Sequence, residues 1–478
     1  MRRKGLASWQ PTWVKAAGAC PGWKSSTAEL DQPRALIEKT RRRTLEVDRI
    51  GCGSWVHDEQ GPVEVAPPDP DEHDATRTTR DRPPRLLYFC PVMPADSGNG
   101  LAMRAATMLR LLLRDYRVSL LIVPLYSPGP ARELPDWVRT RCENVRWVPE
   151  PGPGTTRHAD HTIGQDRLDA WVDTAARAYP SDTFDVIHVF RTATMPFAGP
   201  YLNRAAEWHL DLDDVESRVQ ERLARLYERH GRAGDQSDAV QRAEASARQE
   251  EDLLRAWDRI YVCSEQDRDE IQRRATQRRA EIVVRPNAVK LPDDPPPAPR
   301  SGCPAILFLG SFGYFPNVDA ATWLCREILP VIREQSPEPV RLLLVGSGAP
   351  IEVRALAHIP EVEFVGEVPD AAPWYAQADV VVVPLRAGGG TRIKLLEALA
   401  YRRPVVSTSI GAEGLDLVDD EHLLIANRAR HFGQQCLRLL GDAELAARLA
   451  SAGRQRVEQR YCLREIEPFT ELRGRPAR

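Results

Sequence analysis

Short apolar segments alternate with helical patterns along most of the chain, and this alternation restricts the fold more than any other feature. RLLYFCPVM at residues 85–93 and VSLLIVPL at 118–125 are patterns of buried strands, and the helical pattern LAMRAATMLRLLL lies between them. Further strand patterns follow at FDVIHVF, EWHLDLDD and RIYVCSE. Strands that alternate with helices favour a parallel sheet covered on both faces. The sequence therefore predicts an α/β domain over residues 83–287.

The same alternation restarts after a proline-rich segment. Residues 288–302 contain three consecutive prolines, which favour an extended interdomain linker. Strand patterns then recur as AILFLGS, RLLLVGSG, VEFVGEV, ADVVVVPL and PVVSTS. We therefore expect a second doubly wound domain over residues 303–441, a C-terminal helical tail over 442–478, and a cleft between the two domains.

The first 82 residues mix charge, proline and isolated tryptophans without periodicity, which predicts a low-order, irregular N-terminal extension. No apolar run approaches the roughly 18 residues of a membrane-spanning helix. Nine cysteines without a CxxC pair or a zinc-type cluster indicate a reducing compartment and no structural metal. We therefore expect a cytoplasmic protein, with peripheral association at the inner membrane face as the alternative.

The charges are almost balanced, with 65 basic and 68 acidic residues and a formal net charge of −3. No global field therefore attracts nucleic acid or an anionic surface, and a binding site for an anion has to be local.

A local anion site is predicted at GGGTRIKLLEALA, residues 388–400, in the loop and helix start that follow a four-valine strand. Arg392 and Lys394 occupy the first turn of the predicted helix, where cations oppose the helix dipole. Glycines allow a ligand close to the backbone, and free amide groups at a helix start donate to anions. A bound diphosphate explains all of these features. The alternative is a solvated surface on which the two cations pair with Glu397 or Glu413.

The second domain resembles the C-terminal domain of retaining GT-B glycosyltransferases of group 1, family 4-like, of the polysaccharide-biosynthesis type. The resemblance rests on four stretches in the same order: FLGSFGYFPNVDAATWLCREILPVIRE, LLLVGSG, VEFVGEVPDAAPWYAQADVVVVPL and GGGTRIKLLEALAYRRPVVSTSIGAEGL. The first domain resembles the family through PADSGNGLAMR, FDVIH, DLDDVES and RPNAV. The resemblance implies a GT-B architecture, in which two Rossmann-like domains face each other across a cleft.

The resemblance also implies that a nucleotide-diphosphate sugar is bound mostly by the second domain. Glu397 matches the family's glutamate that binds the ribose hydroxyls, a role suited to a carboxylate. The other residues that match donor contacts are Gly310, Ser311, Val365, Gly366, Val368, Gly389, Gly390 and Thr391.

The chain departs from the family pattern in two places. Gly389 occupies the position where the family often has the first of two glutamates eight residues apart. The segment GSFGYFPN lacks the Arg and Lys that often hold the diphosphate after the first strand of the second domain. We expect Arg392 and Lys394 to replace these cations.

Candidates in the first domain are less specific. His188 matches a position where the family often has a catalytic histidine, although Phe190 replaces the second histidine of that motif; the alternative is a packed core residue. The acids of DLDD could bind a metal, line the acceptor side of the cleft or cap the next helix, and we favour the acceptor side. The predicted acceptor-side residues are Gly98, Asn99, Gly100, Arg104, Asp211 and Asp213.

These features and the family resemblance together predict a metal-independent hexosyltransferase that moves a sugar from a nucleotide-diphosphate sugar to an acceptor hydroxyl with retained configuration. The catalytic candidates are His188, Arg392 and Lys394. No cofactor and no nucleic acid partner are expected, and the acceptor is a saccharide, a lipid-linked glycan or a small molecule. The alternatives are a sugar-nucleotide epimerase of the same architecture and a non-catalytic sugar-nucleotide-binding protein.

Overall fold

The computed structural model describes residues 82–126, 134–150, 165–274, 278–293, 295 and 302–463, and the backbone of two-residue strands at 45–46, 63–64 and 162–163. The irregular extension predicted over residues 1–82 lies outside the described residues, apart from two of these short strands and Arg82. The last part of the predicted C-terminal tail, residues 464–478, also lies outside them.

The first half of the chain builds a sheet of seven parallel strands in the order β10-β9-β8-β7-β3-β4-β5, and β2 is added antiparallel to β5. β1 and β6 form a separate antiparallel pair. The strands are β1 (Leu45–Glu46), β2 (Val63–Glu64), β3 (Arg85–Cys90), β4 (Arg117–Ile122), β5 (Asn144–Trp147), β6 (Thr162–Ile163), β7 (Phe184–Phe190), β8 (Ala205–Asp213), β9 (Arg259–Val262) and β10 (Glu281–Val284).

Helices cover this sheet, and the strands are therefore buried on both faces. The Asn99 side chain caps the first helix by accepting a hydrogen bond from the Ala102 amide at 2.8 Å. The helices are α1 (Gly100–Asp115), α2 (Asp136–Arg141), α3 (Gln165–Ala176), α4 (Met195–Ala198), α5 (Glu216–Arg229), α6 (Ala233–Ala256) and α7 (Glu265–Arg274).

The second half of the chain builds a six-stranded parallel sheet in the order β13-β12-β11-β14-β15-β16. Its strands are β11 (Ala305–Leu309), β12 (Arg341–Val345), β13 (Val362–Gly366), β14 (Val380–Val383), β15 (Val405–Ser407) and β16 (Leu424–Ile425). Its helices are α8 (Phe315–Trp323), α9 (Leu329–Gln335), α10 (Ile351–Arg354), α11 (Ala372–Gln377), α12 (Ile393–Ala400), α13 (Ala429–Gly441) and α14 (Ala443–Arg460).

The end of the described chain returns to the first domain. Beyond α14, Cys462 forms a parallel β-bridge with Val289, and the Val289 amide donates to the Tyr461 carbonyl at 2.9 Å. Arg114 of α1 also donates to the Leu463 carbonyl at 2.8 Å. The C-terminal helical segment therefore joins the two domains instead of extending away from them.

Both sheets are doubly wound, which confirms the predicted α/β class. In the second sheet the strand order reverses between β11 and β14, and in the first it reverses between β3 and β7. Ligands of such sheets bind at the carboxyl ends of the strands beside this reversal. Within the described part of the chain, every helix is too short or too polar to cross a lipid bilayer.

Candidate active site

The triglycine bend, residues 388–390, follows β14 at the reversal point of the second sheet and faces the first domain. Gly388 and Gly390 have φ angles of 109° and 62°, which favour glycine. A Cβ atom at Gly389 would overlap Val219 of α5, and one at Gly390 would overlap the Asp214 carboxylate. The bend therefore lies against the first domain, at the interdomain cleft.

Arg392 immediately precedes α12 and keeps most of its donors free. The side chain is buried, and its Nη1 donates to the Gly390 carbonyl at 2.7 Å. Its Nε and Nη2 are buried without a hydrogen-bond partner. Unpaired buried donors are costly, and the anion predicted at the bend would satisfy these two groups.

Lys394 extends from the first turn of α12 to the end of β11. Its Nζ donates to Asn317 Oδ1 at 2.9 Å and lies 2.9 Å from the position of a Cβ at Gly310. Burial, followed by the nearby charge of Arg392, lowers the pKa of Lys394 to about 7. This ammonium group thus occupies the region after the first strand of the second domain where the sequence lacks its expected cations.

The alternative of a solvated surface pair does not describe these cations. Among the described residues neither Arg392 nor Lys394 forms an ion pair. Glu413 pairs instead with Arg218 and Arg222 of the first domain.

Glu397 lies one turn beyond Lys394 on α12 and accepts a hydrogen bond from the Tyr375 hydroxyl at 3.2 Å. Burial raises the pKa of Glu397 to about 7, although the Tyr375 hydrogen bond and the Lys394 charge oppose this shift. The carboxylate is available on the same side of α12 as Lys394, as the predicted ribose contact requires.

Residues 303–442 match the family model described as glycosyl transferases group 1. Residues 303–442 form a group 1 glycosyltransferase domain. The triglycine bend, Arg392, Lys394 and Glu397 all lie inside this domain, and the resemblance inferred from the motifs of the second half is confirmed.

Two curated relatives match about one third of the chain. Phosphatidyl-myo-inositol mannosyltransferase of Mycobacterium leprae (strain TN) is 32% identical over 167 residues, which are 34% of this chain and 43% of that protein. An uncharacterized 44.6 kDa protein in the cps region of Klebsiella pneumoniae is 26% identical over 153 residues, which are 30% of this chain and 39% of that protein. The chain thus spans about two fifths of the length of these relatives.

Solved structures match a much larger part of the chain. Sucrose-phosphate synthase from Thermosynechococcus elongatus covers 80% of this chain and 96% of its own, with a TM-score of 0.59 and 20% identity. TarM covers 83% of this chain and 100% of its own, with a TM-score of 0.59 and 12% identity. Anabaena HepE in complex with UDP-glucose covers 80% and 96%, with a TM-score of 0.52 and 13% identity. These similarities confirm the GT-B fold over both domains.

The predicted donor residues outside α12 lie at adjacent strand ends of the group 1 domain. A Cβ at Gly346, after β12, would overlap the Gly310 carbonyl, and the Gly346 amide donates to the Gly366 carbonyl at 2.7 Å. Ser311 Oγ is buried without a partner beside Gly310. Val365 and Val368 pack at the edge of the core at the end of β13. Gly310, Gly346 and Gly366 thus lie close together at these strand ends, and Gly310 is next to Lys394.

Thr391 connects the bend to the first domain. Its Oγ1 accepts a hydrogen bond from Asn287 Nδ2 at 2.8 Å, and both side chains are buried. The Asn287 carbonyl oxygen Oδ1 is buried without a partner.

His188 lies inside the first sheet, with its ring fully buried. The ring stacks on Tyr261 at 5.3 Å between centroids and meets Tyr88 edge-on, also at 5.3 Å. Burial and the neighbouring His209 lower the pKa of His188 well below its ordinary value, which keeps the ring neutral. These contacts are those of a packed core residue, which was the alternative interpretation of His188. The catalytic role of His188 stays a prediction.

Arg104 and Asp211 pair with each other instead of lining the cleft. Both are completely buried and form two hydrogen bonds, at 3.0 and 2.9 Å. Arg104 also donates to the Arg285 carbonyl at 2.5 Å. These contacts leave no surface of the pair for an acceptor. The pair instead links α1, β8 and the end of β10, and the predicted acceptor contact of Arg104 and Asp211 is wrong.

The loop at residues 98–100 does face the group 1 domain, because a Cβ at Gly100 would lie 3.6 Å from the Ile393 side chain of α12. Gly98 has a φ angle of 104° and is exposed, as is Asn99. Asp213 also lies at the cleft edge, where its side chain is 14% exposed. No group of three or more metal-ligating side chains is found within the described ranges.

Sequence reasoning missed the contribution of α5. Its residues Arg218 and Arg222, four positions apart, both bind Glu413 of the group 1 domain, and Arg222 also donates to the Gly388 carbonyl at 2.9 Å. Arg191, after β7, and Asp214, after β8, were likewise not predicted to act together, although they pair at 2.8 Å. The repeat of arginine at i and i+4 on α5 was the available signal.

Proposed function

We propose that the protein transfers a sugar from a nucleotide-diphosphate sugar to an acceptor hydroxyl, with retention of the anomeric configuration and without a metal ion. The observation that carries the proposal is the pair Arg392 and Lys394, two cations without a carboxylate partner among the described residues, beside the triglycine bend of the cleft. A diphosphate is the ligand that would engage both cations and the backbone of the bend.

In this mechanism negative charge grows on the diphosphate as its bond to the anomeric carbon breaks. Arg392, Lys394 and the free amides at the start of α12 stabilise that charge and are fixed before the reaction begins. They supply the positive charge that a divalent ion would otherwise bring. The acceptor hydroxyl approaches the face from which the diphosphate leaves; its oxygen bonds to the anomeric carbon and its proton passes to the departing diphosphate oxygen, so configuration is retained and no covalent nucleophile is needed.

The relatives suggest which donors to test first. The Mycobacterium leprae relative is named a mannosyltransferase, and the Anabaena structure contains UDP-glucose. The acceptor is a saccharide, a lipid-linked glycan or a small molecule, and a lipid-linked glycan would bring the protein to a membrane surface.

The test is a thermal-shift screen against UDP, GDP and their sugars, followed by incubation of each binding donor with and without acceptors. Transfer in the presence of EDTA, with the donor configuration seen in the product by NMR, is the expected result. A new epimer formed without acceptor would establish the epimerase alternative. Binding without turnover against a broad acceptor library would establish the non-catalytic alternative, and loss of activity in EDTA would contradict metal independence.

A further inference from the structure

Two adjacent strands of the first domain end in strained backbone at the cleft. Arg191, after β7, has a φ angle of 68°, and Asp213, the last residue of β8, has a φ angle of 62°. Left-handed backbone is unfavourable for such residues and concentrates at functional sites. Because β7 and β8 are neighbours in the sheet, Arg191 lies beside the acids at the end of β8.

Arg191 contacts three of these acids through the two terminal nitrogens of its guanidinium group. Its Nη1 lies 2.8 Å from Asp214 Oδ2 and 3.3 Å from Asp213 Oδ2, and its Nη2 lies 3.8 Å from Glu216 Oε2. The carboxylates raise the pKa of Arg191 well above its ordinary value despite its burial. The guanidinium therefore remains charged and fixes the orientation of the Asp214 carboxylate.

The second oxygen of Asp214 points to the triglycine bend. A Cβ at Gly389 would lie 3.2 Å from Asp214 Oδ1, and a Cβ at Gly390 would overlap this atom. Within the described residues no hydrogen bond to Oδ1 is found, and the side chain is 22% exposed. One oxygen is thus held by Arg191 while the other is free to accept a hydrogen bond at the bend.

Glycine at position 389 is explained by the close packing of the bend against α5. A Cβ there would overlap Val219 Cγ2, so no side chain fits between the bend and α5 in this arrangement. A carboxylate at this point of the cleft has to come from the first domain, and Asp214 is the polar side chain of that domain closest to both glycines.

We propose that Asp214 binds hydroxyl groups of the sugar that is transferred, and that this contact selects neutral sugars over sugar acids. The proposal rests on the proposed function, because it takes the diphosphate to lie at the bend and the attached sugar next to it. Hydroxyl groups donate well to a fixed carboxylate. A carboxylate on the sugar would instead meet the like charges of Asp214 and Glu216, with Arg191 already engaged.

The test compares the wild type with Asp214→Asn in the binding of UDP or GDP and of the corresponding hexose and hexuronate donors. We expect the variant to bind the free nucleotide diphosphate as the wild type does. The affinity of the hexose donor relative to that nucleotide should fall about tenfold, and turnover about 100-fold, as for the loss of charge-assisted hydrogen bonds. The preference for hexose over hexuronate should also shrink. Asp136→Asn, on the exposed surface of α2, is the matched control.

One result would overturn the role of Asp214 while leaving the transferase intact. In it, Asp214→Asn keeps the wild-type melting temperature, the wild-type turnover and the wild-type affinity of the hexose donor relative to the free nucleotide. Equal losses for free nucleotide and sugar donor would also overturn it, because a sugar contact cannot affect the free nucleotide in that way. A wild type that binds no nucleotide diphosphate would overturn the proposed function itself, and the proposal for Asp214 with it.

Discussion

Lys394 and Asn317 form a hydrogen bond of 2.9 Å between Nζ and Oδ1, so the hydrogen-bond partner of this ammonium group is neutral. The same Nζ lies 4.9 Å from the centre of the Phe308 ring. Burial and the Arg392 charge lower the pKa of Lys394 to about 7, so near neutral pH the side chain is partly deprotonated when the cleft is empty. An anion bound at the bend would favour the charged form.

Donor binding is therefore expected to take up a proton above neutral pH. Below about pH 7 Lys394 is already charged and its contribution to affinity is highest; as pH rises through the pKa, that contribution falls by up to about tenfold per unit. Calorimetry with a sugar nucleotide in buffers of different ionisation enthalpy measures the uptake. Lys394→Arg, which does not titrate in this range, should flatten the profile; an unchanged slope in that variant would contradict the assignment.

Removal of either cation at the bend should weaken the binding of nucleotide diphosphates. Arg392→Ala and Lys394→Ala each lose charge-assisted contacts, and we expect an affinity loss of roughly 1–3 kcal/mol for UDP or GDP by isothermal titration. Arg430→Ala, an exposed arginine at the start of α13, is the control for the loss of one positive charge. Wild-type affinity in both bend variants would exclude the diphosphate assignment.

Glu397→Gln should separate the nucleoside from the phosphates. The amide keeps the size of the side chain and loses the charge, so nucleoside diphosphate binding should weaken while the affinity for pyrophosphate is retained. Because the pKa of Glu397 is raised to about 7, the carboxylate is mostly ionised only above that pH, and the defect should be larger at pH 8 than at pH 6. Competition titrations at both pH values measure it; equal losses for both ligands would contradict the ribose contact.

The tight approach at Gly389 can be tested by a double-mutant cycle. A Cβ at this position would overlap Val219 Cγ2, so Gly389→Ala should lower kcat/KM about tenfold or more by preventing full contact between bend and α5. Val219→Ala removes the overlapping methyl group and should restore part of the activity in the double variant. Strictly additive effects of the two changes would show that the overlap is not the cause.

The features that the sequence predicts well are local ones. The alternation of buried strands with helices is enough to predict two doubly wound sheets, because each strand is identified by its own residues. The glycines and cations of the bend are likewise contiguous. Ser264 and Asp267, three residues apart in the sequence, cap α7 through two mutual hydrogen bonds.

Contacts between domains could not be predicted from patterns of this kind. Asp214 and Gly389 are adjacent only because β8 and β14 end at opposite faces of one cleft, and no periodicity links positions so far apart. Arg104 is a charged residue close to a glycine loop, which is what a ligand-binding cleft residue looks like in sequence. Its hydrogen bonds to the buried Asp211 nevertheless fix its orientation. Burial of a charged pair depends on tertiary structure, and local sequence does not encode it.

Across the cleft, two arginines of α5 pair with one carboxylate of the group 1 domain. Glu413 accepts hydrogen bonds from Arg218, Arg222 and, at 2.9 Å, from Gln266 Nε2. The two arginines lower the pKa of Glu413 although burial opposes the shift, so the contact remains ionic over the neutral range. Arg222 also donates to the Gly388 carbonyl at 2.9 Å, whereas Arg218 lies 4.0 Å from Asp267 Oδ1 of the first domain.

This difference provides a matched pair of variants. Arg218→Ala and Arg222→Ala each remove one ion pair with Glu413 and should both lower the melting temperature only moderately, because the remaining arginine still neutralises the carboxylate; Arg218→Ala also removes the longer ion pair with Asp267. Only Arg222→Ala releases the triglycine bend, so it should weaken nucleotide diphosphate binding about tenfold more than Arg218→Ala, the size of one hydrogen bond to a charged group. Thermal melts and titrations with the same nucleotide measure both quantities. If the two variants lose affinity equally, α5 acts only by holding the domains together and does not shape the bend.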